Sequence, residues 1–185
     1  MHQATEVERI TRETGAGDDG FEVDTRIMAA LGRSFGAVEL HAAEERRRNH
    51  IAALAEFHAG HDLLLTPTLG EPPIRIGSLD TPAHLQRISE VLLRTRTTAV
   101  LRRLGIVDQM VEANLGWVPY TQLANVTGRP AISLPLYRTP GGLPLGVQFV
   151  GRLRSEELLL RLARQLELAA PWAQHLPAPG VPAAA

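Results

Sequence analysis

PYTQLANVTGRPAISLPLYRTPGGLPLGVQFVGR, residues 119–152, decides how this chain is read. The stretch is rich in Gly and Pro yet strongly apolar, so it is not a solvated linker. Gly and Pro here set backbone directions between short buried strands. The order is a turn, an apolar strand, a Gly-Gly turn, a second apolar strand and a Gly exit, with a helix from Ser155. Strands are expected near 131–136 and 143–150, and Asn125 is expected to bond neighbouring backbone in a turn.

Downstream, Ser155, Glu156 and Glu157 suit the positive end of a helix. Leu158, Leu159, Leu162, Ala163 and Leu166 then recur at helical spacing, so a helix with one buried stripe is expected over 156–169. Upstream, Asp62–Pro67 (DLLLTP) reads as a buried strand near 63–66 stopped by proline. The Pro72-Pro73 pair turns the chain into a short extended IRIG. Before these, Asp24 reads as the cap of a helix carrying Ile27, Met28 and Leu31. That pattern is interrupted near Gly32 and Gly36 and resumes from Val38 to Ala59, with Ile51, Leu54 and Ala55 on one face and Gly60 as stop. Thr81 and Pro82 begin another helix, expected to run to Gly105 with Leu85, Ile88, Leu92, Thr95 and Ala99 on one side. Residues 106–115 read as a brief helix. Residues 1–22 are polar, and TRETGAGDDG is aperiodic, so they are read as a flexible N-terminal arm. The domain proper is placed at 23–175, with a Pro/Ala-rich tail over 176–185.

Composition narrows the chemistry. At 185 residues and 44% hydrophobic content, the chain can bury one ordinary core. Its net charge of −1 gives no electrostatic drive toward nucleic acid or an anionic membrane as partner. No apolar run approaches the roughly 20 residues that span a bilayer, and the first residues are charged, so a cytoplasmic protein is expected. There is no Cys, hence no disulfide, thiolate nucleophile or thiolate metal site. There is no Lys either: all 19 basic residues are Arg, which stays protonated and cannot act as a base.

The opening block resembles the C-terminal part of the amidase signature family, whose members hydrolyse carbon–nitrogen amide bonds. The matching residues are PYT (119–121), LANVTGRPAISLPL (123–136) and GLPLGVQFVGR (142–152). HDLLLTPTLGEPPIRIG (61–77) and Pro171-Trp172 extend the match to about residues 25–176. The resemblance implies an α/β fold, a partial mixed sheet flanked by helices. It also implies catalysis by a Ser nucleophile, a second Ser in a cis peptide and a Lys base, with Gly-rich backbone donors at the oxyanion. Those elements are missing here. The serines are Ser34, Ser78, Ser89, Ser133 and Ser155, none paired, so no catalytic residue is transferred and activity of the chain as an enzyme is left open. Trp117, Val118, Pro119, Tyr120 and Thr121 are the candidate substrate-binding residues, with Asn125 beside them. If an acidic residue near Val118 holds the α-ammonium group in glutamine-acting relatives, Val118 here points to a neutral or apolar acyl group.

Other sites read poorly. Ser133 has no sequence-evident base and reads as a locally bonded strand hydroxyl. His58, His61 and Asp62 do not complete a metal site. Gly15, Gly17 and Gly20 spell a dinucleotide fingerprint, but a charged segment, not a strand, precedes them. No metal and no cofactor are expected. The expected function is the C-terminal part of an amidase, giving scaffold and pocket wall. The alternative is a non-catalytic interaction module descended from one. A partial sheet leaves an open edge, so a homo-oligomer or a complementary N-terminal amidase chain is the expected partner, with a small-molecule amide bound once complemented.

Overall fold

The computed structural model describes residues 2–80, 83–95, 97, 111–112 and 115–175. Where the sequence suggests one domain over 23–175, the chain divides into two compact units, each discontinuous. One is Met1–Arg46 with Arg75–Gly116; the other is Arg47–Ile74 with Trp117–Ala185.

The first unit is helical. α1 (His2–Thr14) and α2 (Val23–Arg33) bury Ala4 and Val7 against Ala29, with Phe21 alongside. The expectation of a flexible arm over 1–22 is thereby corrected over 2–14. Ala4 and Val7 lie one turn apart, a stripe too narrow to stand out from polar surroundings. Arg9 reinforces the helix by bonding Glu6 at 2.9 Å and Glu13 at 2.7 Å. Its hydrogen bond holds the Glu6 carboxyl below the usual carboxylate range. Glu22, not Asp24, occupies the cap position of α2, so Asp24 falls in the first turn, where its charge still suits the helix dipole. Gly15 follows a helix, so the fingerprint there lacks its strand.

α3 (Ala37–Gly60) begins after the expected break, and its residues up to Arg46 belong to this unit. α4 (Ala83–Arg94) packs Leu92 and Leu93 against Ile27 and Leu31. Thr81, Pro82, the side chain of Leu85, Ala99, Gly105, most of 106–115 and the tail 176–185 lie outside the described residues.

The second unit holds a three-stranded sheet in the order β1-β3-β2: β1 (Leu63–Pro67), β2 (Ala131–Arg138) and β3 (Pro144–Gly151). Both pairings are antiparallel, the described part of a sheet expected to be mixed. Pro135 interrupts the β2 ladder where the register shifts between Leu134 and Tyr137. This suits proline, since β2 lies at the sheet edge and a bulge needs no donor there. The IRIG segment forms no strand; Ile76 opens a turn and is fully exposed.

The alternation of side chains sets two faces. On one, Leu63, Ile132, Leu134, Val147 and Phe149 meet Leu159, Leu162, Ala163 and Leu166 of α6 (Glu156–Ala169), capped by Trp172. Leu158 falls off this stripe and is exposed. On the other, Leu64 and Val150 are covered by Leu54 and Phe57 of α3 and by Leu123 and Ala124 of α5 (Thr121–Thr127). α5 replaces the expected turn and ends at Gly128, in the left-handed region at φ 68°.

Ser155 takes the cap position of α6, but its hydroxyl donates to the Arg152 carbonyl at 2.7 Å instead of capping. Ser155 has ψ 27°, outside the extended region usual for a capping residue, and beside it in the β3–α6 turn Arg154 adopts φ 63° without being glycine. Arg154→Gly is expected to raise unfolding stability by about 1 kcal/mol, read as a higher thermal midpoint. An unchanged or lower midpoint would mean that the turn carries no strain.

Candidate functional site

The second face of the sheet is divided in two. Its Leu64–Val150 half is sealed by α3 and α5; its other half carries a polar row. Thr66, Gln148 and Ser133 are register partners across the three strands, so their side chains share this face. Gln148 is only 4% exposed. Its Nε2 donates to Thr66 Oγ1 at 3.3 Å and to the Tyr120 carbonyl at 3.4 Å. A buried amide needs such partners, because leaving it unbonded costs on the order of 1–3 kcal/mol.

One step along the same face, Thr68 Oγ1 and Ser133 Oγ meet at 2.6 Å. They join chain segments 65 positions apart and arch over the central strand at Gly146, whose carbonyl accepts the Thr68 N–H at 2.9 Å. Only glycine permits this. A Cβ at position 146 would lie 2.5 Å from Ser133 Oγ and 2.6 Å from Thr68 Oγ1. The local bonding expected of Ser133 is corrected: its partner is distant, and it is a hydroxyl, not a base. Ser133 is exposed and Thr68 half-buried, so the pair is reachable from solvent.

The candidates from sequence are spread along the approach to this row. Trp117 is half-buried, and its carbonyl accepts the Gly70 N–H at 2.9 Å, tying the segment after β1 to the entry of α5. Val118 is half-buried; its carbonyl accepts the Thr121 hydroxyl at 3.1 Å. Pro119 is exposed, and Tyr120 is 42% exposed. Thr121 opens α5 half-buried. Asn125 stands exposed on that helix, not in the turn expected for it. Of these residues, Tyr120 bonds to the polar row, through its carbonyl. Thr66, Thr68, Ser133, Gly146 and Gln148 were not singled out as a site. For Thr66, Ser133 and Gln148 a weak signal was there: single polar residues inside otherwise apolar strands, LLLTP, AISLPL and GVQFV.

The histidines form a different arrangement. His58 is 3% exposed, its Nδ1 lying 3.0 Å from the His61 carbonyl, while His61 Nδ1 lies 3.0 Å from the Phe57 carbonyl. Phe57 stacks on His61 at 4.4 Å between ring centres. Both side chains are thus engaged in closing the end of α3. Among the described residues no group of three or more His, Cys, Asp or Glu could hold a metal, and no helix is long and apolar enough to cross a membrane.

Comparison with known proteins identifies the family. The family model described as Amidase matches residues 2–160. AmiC of Mycobacterium leprae, an amidase by name, is 40% identical over 120 residues, covering 65% of this chain and 21% of that protein. The 6-aminohexanoate-cyclic-dimer hydrolase of Pseudomonas sp. strain NK87 is 33% identical over 159 residues, 85% of this chain and 28% of that one. A solved structure of 6-aminohexanoate cyclic dimer hydrolase complexed with substrate superposes with a TM-score of 0.70 at 28% identity. It takes in 95% of this chain and 34% of the solved one. The chain therefore spans between about a fifth and a third of the length of these relatives. With a family match over most of its residues and a fold shared across nearly all of them, the chain belongs to the amidase family.

Proposed function

We propose that this chain is the C-terminal part of an amidase-family amidohydrolase, supplying scaffold and one wall of the substrate pocket, with the nucleophile and base carried elsewhere. One observation carries the reading. Nearly the whole chain superposes on about a third of a cyclic-dimer hydrolase, yet it contains no Lys and no paired Ser. Hydrolysis of an amide needs an activated nucleophile and a base to take its proton, and Ser133 bonded to Thr68 supplies neither. The wall is assigned to Trp117, Val118, Pro119, Tyr120, Thr121 and Asn125, which face no charge of their own making and suit a neutral acyl group. The partner is a complementary N-terminal amidase segment. Support for an opening toward it comes from β1, an edge strand among the described residues, whose Leu65 is 61% exposed.

The test is a chimera. The part of the Pseudomonas hydrolase upstream of the matched region is fused to this chain or co-expressed with it, and assayed on a panel of aliphatic and aromatic amides. Turnover is expected from the combination and from neither part alone. Turnover by this chain alone, lost on mutating one of its own residues, would overturn the reading. A folded but inert combination would favour a non-catalytic interaction module.

A further inference from the structure

We propose that Thr68, Ser133 and Gln148 form a platform that binds a carboxamide group, giving this chain its direct contact with the amide of a substrate. The proposal rests on the amidase reading and adds which side chains meet the amide itself.

The argument starts from hydrogen-bond valence. Two hydroxyls bring two hydrogens, and the mutual bond of Thr68 and Ser133 at 2.6 Å uses one of them. The other remains free to donate. Gln148 directs Nε2 to Thr66 Oγ1 and to the Tyr120 carbonyl. A carbonyl can only accept, so this contact fixes the orientation of the amide and leaves Oε1 as the acceptor that these two bonds do not use. Ser133 and Gln148 are register partners on adjacent strands. The face thus carries one O–H donor, on Thr68 or Ser133, and the C=O acceptor of Gln148.

A carboxamide carries the complementary pair, a carbonyl acceptor beside an N–H donor. An ester lacks the donor, and a carboxylate lacks both the donor and, in this row of neutral side chains, a compensating charge. Gly146 lets the two hydroxyls close over the central strand, since any side chain there would run into both. The other half of the same face shows the contrast: where the sheet is only packed, it uses Leu64 and Val150.

The test uses the full 185-residue chain, labelled with nitrogen-15 and titrated with hexanamide and, in parallel, with methyl pentanoate, an ester of similar size and shape. Hexanamide is expected to shift the backbone signals of Thr68, Ser133 and Gln148 and the Gln148 side-chain NH₂, and the ester to leave them in place. The double variant Thr68→Val, Ser133→Ala is expected to weaken hexanamide binding about tenfold, as loss of one or two hydrogen bonds implies. Amide and ester acting alike, shifts that map elsewhere, or no amide shift up to its solubility limit would each overturn the platform. A folded double variant that binds hexanamide unchanged would show the hydroxyl pair to be only a tie between strands. The amide–ester comparison on the parent chain decides even if that variant does not fold. An active chimera together with a parent chain showing no amide preference would remove the platform and keep the amidase reading.

Discussion

Val150→Asp is expected to abolish cooperative folding of the sheet-bearing unit. Val150 has 0% exposure and is enclosed by Leu54, Ala124, Phe57, Leu64 and Leu123, drawn from two helices and a neighbouring strand. Removing the apolar side chain forfeits about 1.5–3 kcal/mol of burial. Placing a carboxyl there adds several kcal/mol more, because no donor or cation is part of that cluster. The sum, on the order of 5 kcal/mol or above, rivals the whole stability of an ordinary domain. Val150→Ala, which only opens a small cavity, is expected to cost about 1–3 kcal/mol and to keep the transition. Circular dichroism on heating reads both. A Val150→Asp protein that melts close to the parent would show that this strand does not form the core described.

Gly146→Val is the second large effect, and it joins stability to the site. The backbone at Gly146 is not among the positive-φ glycines, so the cost is steric and not conformational. A Cβ there meets Ser133 Oγ and Thr68 Oγ1 at 2.5 and 2.6 Å, and the valine methyls extend further into the same space. The hydroxyl pair must separate, losing about 1 kcal/mol, and the strain of overpacking adds about 1–3 kcal/mol. A loss of roughly 2–4 kcal/mol is expected from chemical denaturation, with loss of the amide-specific shifts in the surviving folded protein. Gly142→Ala is the contrast. At φ 84° with open space around it, that change is expected to cost about 1 kcal/mol from backbone strain alone and to leave the amide response intact. Equal effects from the two substitutions would dismiss the steric account of Gly146.

Much of the second unit was legible from residues 62–67 and 131–169. Expected strands at 63–66, 131–136 and 143–150 correspond to Leu63–Pro67, Ala131–Arg138 and Pro144–Gly151, and the helix at 156–169 to Glu156–Ala169. Gly, Pro and uninterrupted apolar runs announce such elements because their constraints are local. The first helix, His2–Thr14, was not read as one, since its apolar residues, Ala4, Val7 and Ile10, are few among polar and charged neighbours. The turn expected around Asn125 became a helix because Leu123 and Ala124 gain burial against Val150, which outweighs a modest local preference.

The sequence by itself determined the ancestry and the limits of the chemistry. An ordered block of Gly, Pro and apolar residues marks the family, and the chain holds no Lys, no Cys and no paired Ser. Tertiary structure alone decided which polar side chains meet on the sheet. Thr68 and Ser133, 65 positions apart, become neighbours because β3 pairs with both β1 and β2 and because Gly146 leaves the gap between them open. Such a meeting depends on register and strand order, which no single residue's local preference encodes.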